Sequence, residues 1–305
     1  MSFEAVLTSK EIAALSLREL YASAGFSRFV CRRFDEYSLY ADNKEFLSGL
    51  DIITFSGKNG ELLALRPDVT LPIVKAVRGR ELSEPIKLYY HESVYRKSGL
   101  SREYRELSQV GAEVIGVFDG KTQQEVLSLA SRSLNVLRKG REAFLDISHI
   151  GIIKKAITYS AAYGADGVSL SKHLSRKNIP GLLKLPGIHR NAPIVRLAAL
   201  YGQAHEIMPE LTEICAEIGA QDEAAELEAL CKSEGGTSIR IDFSVGNGLH
   251  YYSGLVFDGF IAGETQAVLS GGRYDGLLRN FGYPADYSAV GFAVYLDKIR
   301  GLDEN

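Results

Sequence analysis

The chain has 305 residues, of which 46% are hydrophobic and 24% charged, and its formal net charge is −3. This composition predicts a globular protein with room for one large domain and a smaller one. Its slight acidity argues against a general nucleic-acid-binding surface. The sequence shows neither a secretory signal nor an apolar run near the ~20 residues of a membrane span. Cys31, Cys215 and Cys231 are sparse and lack a CxxC pair, so we expect reduced thiols and a cytoplasmic location.

The N-terminal part of the chain predicts one helix followed by two β-hairpins. Residues 9–24 have a helical pattern that begins at Ser9 as the N-cap and stops at Gly25. Two apolar runs around a glycine-containing loop are typical of a hairpin, and residues 51–65 and 87–115 both show this arrangement. A second helix is predicted at residues 122–137. The apolar residues expected on one face of the first helix are Ile12, Leu15, Leu20 and Tyr21.

Residues 151–235 have a different character, because Ala, Leu and Ile recur there at helical spacing between scattered prolines. We predict a mostly helical insert in this region. Strand patterns then return at 238–245, 255–261 and 266–270, and residues 289–300 predict a last strand and helix. This order indicates an α+β fold whose antiparallel sheet is flanked by helices. We expect residues 1–150 and 236–305 to form the core and residues 151–235 to be inserted into it.

The segment LRPDVT, residues 65–70, places a carboxylate and a hydroxyl after a predicted strand. Asp68 and Thr70 are suited to hold an ammonium group. They are also suited to cap a helix that starts near Leu71. Spacing alone favours the helix cap.

The second hairpin is rich in polar groups. Arg96, Arg102 and Arg105 surround its loop, and arginine is suited to bidentate recognition of carboxylate or phosphate. On the return strand, a period of two places Gln109, Gly111 and Glu113 on one face. Such a face is either exposed to solvent or lines a ligand cleft, and the pattern alone slightly favours solvent.

The segment GNGLHYYSGLVFD, residues 246–258, has the glycines and aromatic rings of a small-molecule pocket. It is not a dinucleotide-binding GxGxxG loop, because Tyr251 stands where the third glycine is needed. The six histidines show no metal-ligand spacing, and a lone residue such as His250 is more often structural. We expect Tyr251 and Tyr252 to alternate faces, so that one ring packs in the core and the other points its hydroxyl into a cavity.

Together these segments resemble the catalytic domain of histidyl-tRNA synthetases, which have the class II aminoacyl-tRNA synthetase fold. The resemblance covers nearly the whole chain, and the order of the motifs is highly specific. The synthetases continue into an anticodon-binding domain, which we do not expect here. The matching segments are LRPDVT, YRKSG, YRELSQVGAE, HIGIIKKA, GLHYYSGLVFD, GGRYDGLL and AVGFAVYLDKI.

The resemblance implies a binding site for histidine. A zwitterion needs one fixed cation and one fixed anion, and an imidazole needs a donor and an acceptor. A site built of such groups rejects apolar isosteres, since its polar atoms would be left unpaired. By the resemblance, Asp68, Thr70 and Gln109 hold the α-ammonium, Arg96 faces the α-carboxylate, Glu113 and Tyr252 bond the imidazole, and Tyr251 and Tyr274 shape the pocket.

The positions that bind ATP in the synthetases depart from the family pattern. Asn247 replaces an arginine that stabilises charge on the α-phosphate, and such stabilisation is a dominant catalytic term. Lys298 replaces an arginine that grips phosphate, and Tyr295 replaces a glycine beside the nucleotide. Ser98 replaces an ATP-contacting glutamate, and His250 stands where Asp is usual. The resemblance thus implies a retained histidine site beside a degraded ATP site.

This combination resembles the regulatory subunits of ATP phosphoribosyltransferase, synthetase paralogues in histidine biosynthesis. The resemblance implies a non-catalytic chain without metal or cofactor that binds neither tRNA nor membrane. It would associate with itself through the synthetase-like dimer interface and with a short catalytic subunit in a hetero-octamer. There it would be needed for full activity and would confer allosteric inhibition by L-histidine.

Three alternatives remain open at this point. The chain is either a histidyl-tRNA synthetase-like amino-acid-activating enzyme without its anticodon domain, a ligase for another amino acid, or a purely structural subunit. Glu113 together with Tyr252 favours histidine as the amino acid. Asn247, Tyr295 and Lys298 argue against activation.

Overall fold

The computed structural model describes residues 6–47, 51–80, 84–97, 103–233, 235–246 and 251–302. The chain divides into two compact units. The first unit contains Met1–Phe118, Gly263–Leu269 and Asp275–Asn305, and the second contains Asp119–Ala262 and Ser270–Tyr274. Among the described helices, none is both long and apolar enough to cross a bilayer.

Both units contain strands and helices. The strands are β1 (Ser27–Arg28), β2 (Phe34–Glu36), β3 (Thr54–Ser56), β4 (Leu62–Leu65), β5 (Ile86–Lys97), β6 (Tyr104–Gly116), β7 (Ala143–His149), β8 (Tyr201–Gln203), β9 (Ser238–Asp242), β10 (Leu255–Ile261), β11 (Leu269–Arg273) and β12 (Ser288–Tyr295). The helices are α1 (Ser9–Ser23), α2 (Tyr37–Ala41), α3 (Thr70–Val77), α4 (Gly120–Leu137), α5 (Ile150–Ala161), α6 (Gly167–Leu174), α7 (Ile179–Leu182), α8 (Pro193–Ala199), α9 (Ala204–Ile218), α10 (Gln221–Cys231) and α11 (Asp275–Asn280). A 3₁₀ turn, Leu296–Lys298, follows β12.

The first unit contains strands in the order β1-β5-β6-β12. Strand β6 runs antiparallel to both β5 and β12, whereas β1 is parallel to β5. Helix α1 covers one face of these strands through the fully buried Tyr21, whose ring meets those of Tyr89 and Phe292 edge-on. Alternation along β6 then turns Gln109, Gly111 and Glu113 toward the opposite face.

Both predicted hairpins of the first unit are confirmed. Strands β3 and β4 pair antiparallel, and β2 joins them in a separate three-stranded sheet. Strands β5 and β6 pair over their whole length, from Ile86 opposite Ile115 to Lys97 opposite Tyr104. The glycine-containing connections made these hairpins readable from sequence.

Two details predicted for α1 are wrong. The N-cap is Thr8 rather than Ser9, because Thr8 and Glu11 form a reciprocal capping box. The buried stripe is Ala13, Ala14, Leu17 and Tyr21, whereas Ile12 and Leu15 remain about two-fifths exposed. Small alanines let the helix lie close to the sheet, and the hydrophobic pattern alone did not show which side they occupied. Gly25 adopts φ = 85° after the helix, as expected for its stop.

The second unit contains strands in the order β10-β7-β9-β8. Strands β7 and β10 are antiparallel, but β7 and β9 are parallel. A parallel pair needs a long crossover connection, and here residues 150–237 supply it with helices α5 to α10. The sheets are therefore mostly, rather than entirely, antiparallel. Helix α4 and strand β10 lie where predicted, while β11 begins three residues later than expected.

Candidate functional site

The polar face of β6 in the first unit is buried. Gln109 and Glu113 are each only 3% exposed, so the slight preference for a solvent-facing side was wrong. The Glu113 carboxylate accepts a hydrogen bond of 3.1 Å from the Thr70 hydroxyl at the start of α3. Burying a carboxylate is costly unless donors surround it. This face therefore has the character of a polar binding surface.

Two glycines give this face its shape. Gly291 of β12 stands directly opposite Glu113, and a Cβ at residue 291 would overlap the Glu113 carboxylate. Gly111 stands opposite Tyr90 of β5, and a Cβ there would overlap the Tyr90 hydroxyl. The Tyr90 side chain thus lies across Gly111. Tyr90 was not among the residues predicted from the sequence. Its position opposite a glycine in the hairpin register could have indicated that its side chain lies on this face.

Tyr90 brings a neutral hydroxyl to this face. The side chain is 1% exposed. Burial raises its pKa well above the ordinary value, and the charges of Glu113 and Asp68 raise it further. The phenol is therefore a protonated donor near neutral pH.

Asp68 caps helix α3. Its Oδ1 accepts from the backbone N of Leu71 at 2.9 Å, so the predicted hydrogen bond of a helix cap is present. Asp68 stands one residue before the N-cap position, which is Val69. Burial raises the Asp68 pKa, while the Leu71 hydrogen bond and the Arg96 charge oppose that rise. The cap holds the carboxylate in a fixed position. Its role toward an ammonium group stays a prediction.

Arg66 anchors the LRPDVT segment, which sequence analysis did not foresee. Its guanidinium is 1% exposed and bonds Ser93 O, Arg32 O and the Glu92 carboxylate at 2.6–3.0 Å. Five planar donors suit a site where several carbonyls converge. Arg66 therefore ties the chain before Pro67 and Asp68 to β5 and to the segment before β2.

Arg96 lies beside a basic cleft of about 590 Å³ in the first unit. Its Nε donates to Pro67 O at 2.7 Å, which fixes the base of the guanidinium. The Lys298 ammonium lies 4.1 Å from the centre of the Tyr295 ring, and Tyr295 pairs with Gln109. The charged side chains along the cleft are Arg96, Lys97, Arg105, Lys298, Arg300, Glu264 and Asp297.

The tyrosines of the second unit lie near β10 and β11. The rings of Tyr251 and Tyr252 contact each other, with centroids 4.4 Å apart, so the prediction that they point to opposite faces was wrong. The two residues precede β10 and are not extended as a strand. Tyr252 is 8% exposed and packs against Gly272, where a Cβ would lie 2.7 Å from the ring. Tyr274, 3% exposed, follows β11.

A partly buried polar cluster in the second unit includes Arg273, the neighbour of Tyr274 in the chain. The Glu226 carboxylate of α10 lies 3.3 Å from His149 Nε2, accepts from Gln123 at 2.8 Å, and is 3.9 Å from Arg273. His149 Nδ1 accepts from Gly151 N, so Nε2 carries the proton. The His149 hydrogen bond lowers the Glu226 pKa to about 2, with Gln123 and Arg273 assisting against burial. Arg273 O in turn accepts from Ser253 N.

Four further residues discussed from the sequence, Asn247, His250, Ser98 and Arg102, lie outside the described residues. The eight residues predicted to bind histidine fall into two groups, one in each compact unit. Within the described ranges, no cluster of three His, Cys, Asp or Glu residues is arranged to hold a metal ion. The first unit holds Asp68, Thr70, Arg96, Gln109 and Glu113, and the second holds Tyr251, Tyr252 and Tyr274.

Comparisons with known proteins confirm the resemblance. The histidyl-tRNA synthetase family profile matches residues 7–299. An ATP phosphoribosyltransferase regulatory subunit from Carboxydothermus hydrogenoformans is 31% identical, with 92% of this chain and 87% of that protein aligned. One from Clostridium acetobutylicum is 29% identical, with 94% of this chain and 74% of that protein aligned.

Solved structures confirm the fold. A Bacillus halodurans structure described as an ATP phosphoribosyltransferase regulatory subunit/histidyl-tRNA synthetase superposes with a TM-score of 0.84 at 24% identity, over 97% of this chain and 80% of that one. A chain of an ATP phosphoribosyl transferase (HisG:HisZ) complex from Thermotoga maritima gives 0.68 at 17% identity, over 94% and 97%. The chain belongs to the histidyl-tRNA synthetase family and, within it, to the ATP phosphoribosyltransferase regulatory subunits.

Proposed function

We propose that the chain is a non-catalytic regulatory subunit of ATP phosphoribosyltransferase and that it binds L-histidine. The buried Glu113 carboxylate carries this proposal: it is held by Thr70 and has space only because residue 291 is glycine. A positively charged or N–H-rich ligand suits such a carboxylate, since it supplies donors in a site shielded from water.

Histidine matches the chemistry of the first unit's residues group by group. Glu113 accepts from an imidazole N–H, and the Asp68 carboxylate, fixed by the α3 backbone, attracts the α-ammonium. Arg96 supplies the guanidinium for the α-carboxylate, while Thr70 and Gln109 add polar contacts. By the family resemblance, Tyr251, Tyr252 and Tyr274 are further histidine contacts.

Tyr295, at the end of β12, and Lys298, just after it, support histidine binding without activation by ATP. Amino-acid activation must stabilise charge that develops on the ATP phosphates. The Lys298 ammonium is stacked on Tyr295 rather than presented as a planar clamp. Tyr295 stands where the resembling synthetases have glycine, so its ring takes up space beside the nucleotide position. These residues support a site that binds without reacting.

The partner that we propose is the short catalytic subunit, within a hetero-octamer in the cytoplasm, with histidine as the inhibitor of the assembly. Self-association has support in an exposed apolar patch on the three-stranded sheet of the first unit. Phe34 and Phe55 are 48% and 39% exposed on one face of that sheet, and their rings meet edge-on at 5.7 Å. A contiguous exposed apolar patch is typical of an interaction surface.

The basic cleft favours one second candidate, an amino-acid-activating enzyme. Arg96, Arg105 and Lys298 around about 590 Å³ would attract a polyphosphate. Such an enzyme would exchange pyrophosphate with ATP when histidine is added. The regulatory proposal predicts no exchange.

One reconstitution tests the proposal against this candidate. Purified chain is mixed with the short catalytic subunit, and phosphoribosyl-ATP formation from ATP and phosphoribosyl pyrophosphate is followed with and without histidine. We expect the chain to raise the rate and histidine to reduce it again. A chain that neither binds nor activates the catalytic subunit, yet exchanges pyrophosphate, would support the enzyme instead.

A further inference from the structure

A small cleft in the helical part of the second unit has no role in the proposed histidine site. It has a volume of about 190 Å³. Tyr159 and Ser160 of α5 form one wall with Tyr163, which follows that helix. The segment from Gly187 to Pro193 forms the second wall, and Glu217 of α9 stands at the rim.

The cleft presents acceptor oxygens and aromatic rings. Tyr163 donates its hydroxyl hydrogen to Tyr159 at 3.4 Å, and Tyr159 donates to Glu217 Oε1 at 3.1 Å. The two rings lie 5.5 Å apart. The hydrogen bonds to Tyr163 and Glu217 raise the pKa of Tyr159 to about 12, so this phenol stays protonated. Both tyrosine hydroxyls therefore donate their hydrogens within the protein. Their oxygen lone pairs and ring faces can still contact a ligand.

The inner end of the cleft holds a buried polar atom without a partner. Ser160 is 2% exposed, and its hydroxyl makes no hydrogen bond within the part of the chain that the structure describes. Buried hydroxyls are normally paired, so one that lines a cavity indicates a ligand atom or water at that point. Gly187, at φ = 68°, lets the second wall approach closely, because a Cβ there would overlap Tyr163 O.

Helix α9 carries an acidic cluster beside the cleft. Glu210, Glu213 and Glu217 lie on one exposed side of α9, at helical spacings of three and four residues. Arg196 contacts all three, at 3.1, 3.2 and 3.9 Å respectively. These three carboxylates and one guanidinium leave a net charge of −2 on this side of α9, while the exposed Arg190 in the second wall carries one positive charge. His189 is the other titratable group along the cleft.

We propose that this cleft receives a single arginine or lysine side chain of the catalytic subunit and so forms part of the surface that docks it. The carboxylate at the rim pairs with the cation, the tyrosine faces stack on it, and the Ser160 and Tyr163 oxygens accept its hydrogens. The cleft is smaller than the roughly 300–1,000 Å³ pockets of drug-sized ligands, which suits one side chain. This inference rests on the proposed function, which names the partner.

The test compares the affinity of full-length variants for the catalytic subunit. Glu217→Gln removes the rim charge, and Tyr163→Phe removes one acceptor while keeping the ring. Glu228→Gln is the matched control, because this exposed α10 carboxylate pairs with Lys232 one turn later and does not line the cleft. Circular dichroism establishes that each variant is folded. We expect Glu217→Gln to weaken association at least tenfold, Tyr163→Phe severalfold, and the control less than twofold.

A second measurement examines the cleft without the partner. Ethylguanidinium is titrated into the methyl-labelled chain, with N-ethylurea as the uncharged analogue. We expect saturable shifts of the Ile188 and Ala192 methyl signals with ethylguanidinium alone, and much smaller ones in Glu217→Gln.

The outcomes separate this inference from the proposed function. If the wild-type chain binds the catalytic subunit and the Glu217 and Tyr163 variants bind equally well, the docking inference is overturned and the function stands. If the wild-type chain does not bind at all, the proposed function fails and takes this inference with it.

Discussion

Gly291 of β12 faces Glu113 of β6, and the missing side chain of the glycine is the space that the glutamate carboxylate occupies. The two residues form one feature of the candidate site. The acidic group can be buried on this face only while its opposite neighbour has no Cβ.

Gly291→Ala should therefore disturb the site more than an ordinary glycine replacement. The methyl group would displace the Glu113 carboxylate from Thr70, so we expect histidine affinity to fall at least tenfold. The free energy of unfolding should fall by about 1–3 kcal/mol, as for overpacking in a core. Calorimetric titration and chemical denaturation measure the two effects. Gly120→Ala is the control, because a Cβ there meets no neighbour; equal losses in both variants would contradict the argument.

Glu113→Gln and Tyr252→Phe test recognition of the imidazole. Each removes one polar partner of a buried ligand, so each should weaken histidine inhibition by about 1–3 kcal/mol. The reconstituted assembly without histidine should keep its activity. A collapse of that basal activity would mean that these side chains support the structure instead of the ligand.

Arg66→Met should destabilise the first unit, although Arg66 has no proposed contact with histidine. The change leaves Glu92 without its buried partner and removes donors from Ser93 O and Arg32 O. Losing one member of such a buried group costs about 3 kcal/mol or more in unfolding free energy. Arg105→Met, at an arginine that is 58% exposed, should change stability by less than about 0.5 kcal/mol. Similar denaturation midpoints for the two variants would show that the buried hydrogen bonds of Arg66 do not stabilise the first unit.

Glu226 predicts a specific pH dependence of stability. Its folded pKa of about 2 lies below the ordinary value of 4.5, so its contribution is present above pH 4.5 and is lost as the pH falls toward 2. His149, Gln123 and Arg273 are the groups that face it. We expect about 2 kcal/mol, less than the full shift implies, since the side chain is 33% exposed to solvent. Denaturation of wild type and Glu226→Gln across this range should show the difference shrinking with acidity. A constant difference would argue against stabilisation of the ionised carboxylate by these three groups.

Local features of the fold and of the site could be predicted from the sequence. Hairpins around glycine-containing loops and the common face of Gln109, Gly111 and Glu113 follow from period and turn chemistry. Which face is covered does not follow from them, because burial depends on elements far away in the chain. For that reason the polar face of β6 was misread as slightly favouring solvent.

The parts that sequence reasoning missed depend on register or on distant partners. Tyr90 and Gly291 acquire meaning only when β5, β6 and β12 are aligned. Glu226 reaches His149 across 77 positions of sequence. The Tyr251 and Tyr252 rings were misplaced, because strand alternation was applied to residues that precede the strand.

The most direct test of a binding site without chemistry is a calorimetric titration of L-histidine into the purified chain, with and without Mg-ATP. We expect saturable histidine binding with the same affinity and heat in both conditions. Histidine binding that requires ATP and releases pyrophosphate would contradict it and would show an amino-acid-activating enzyme.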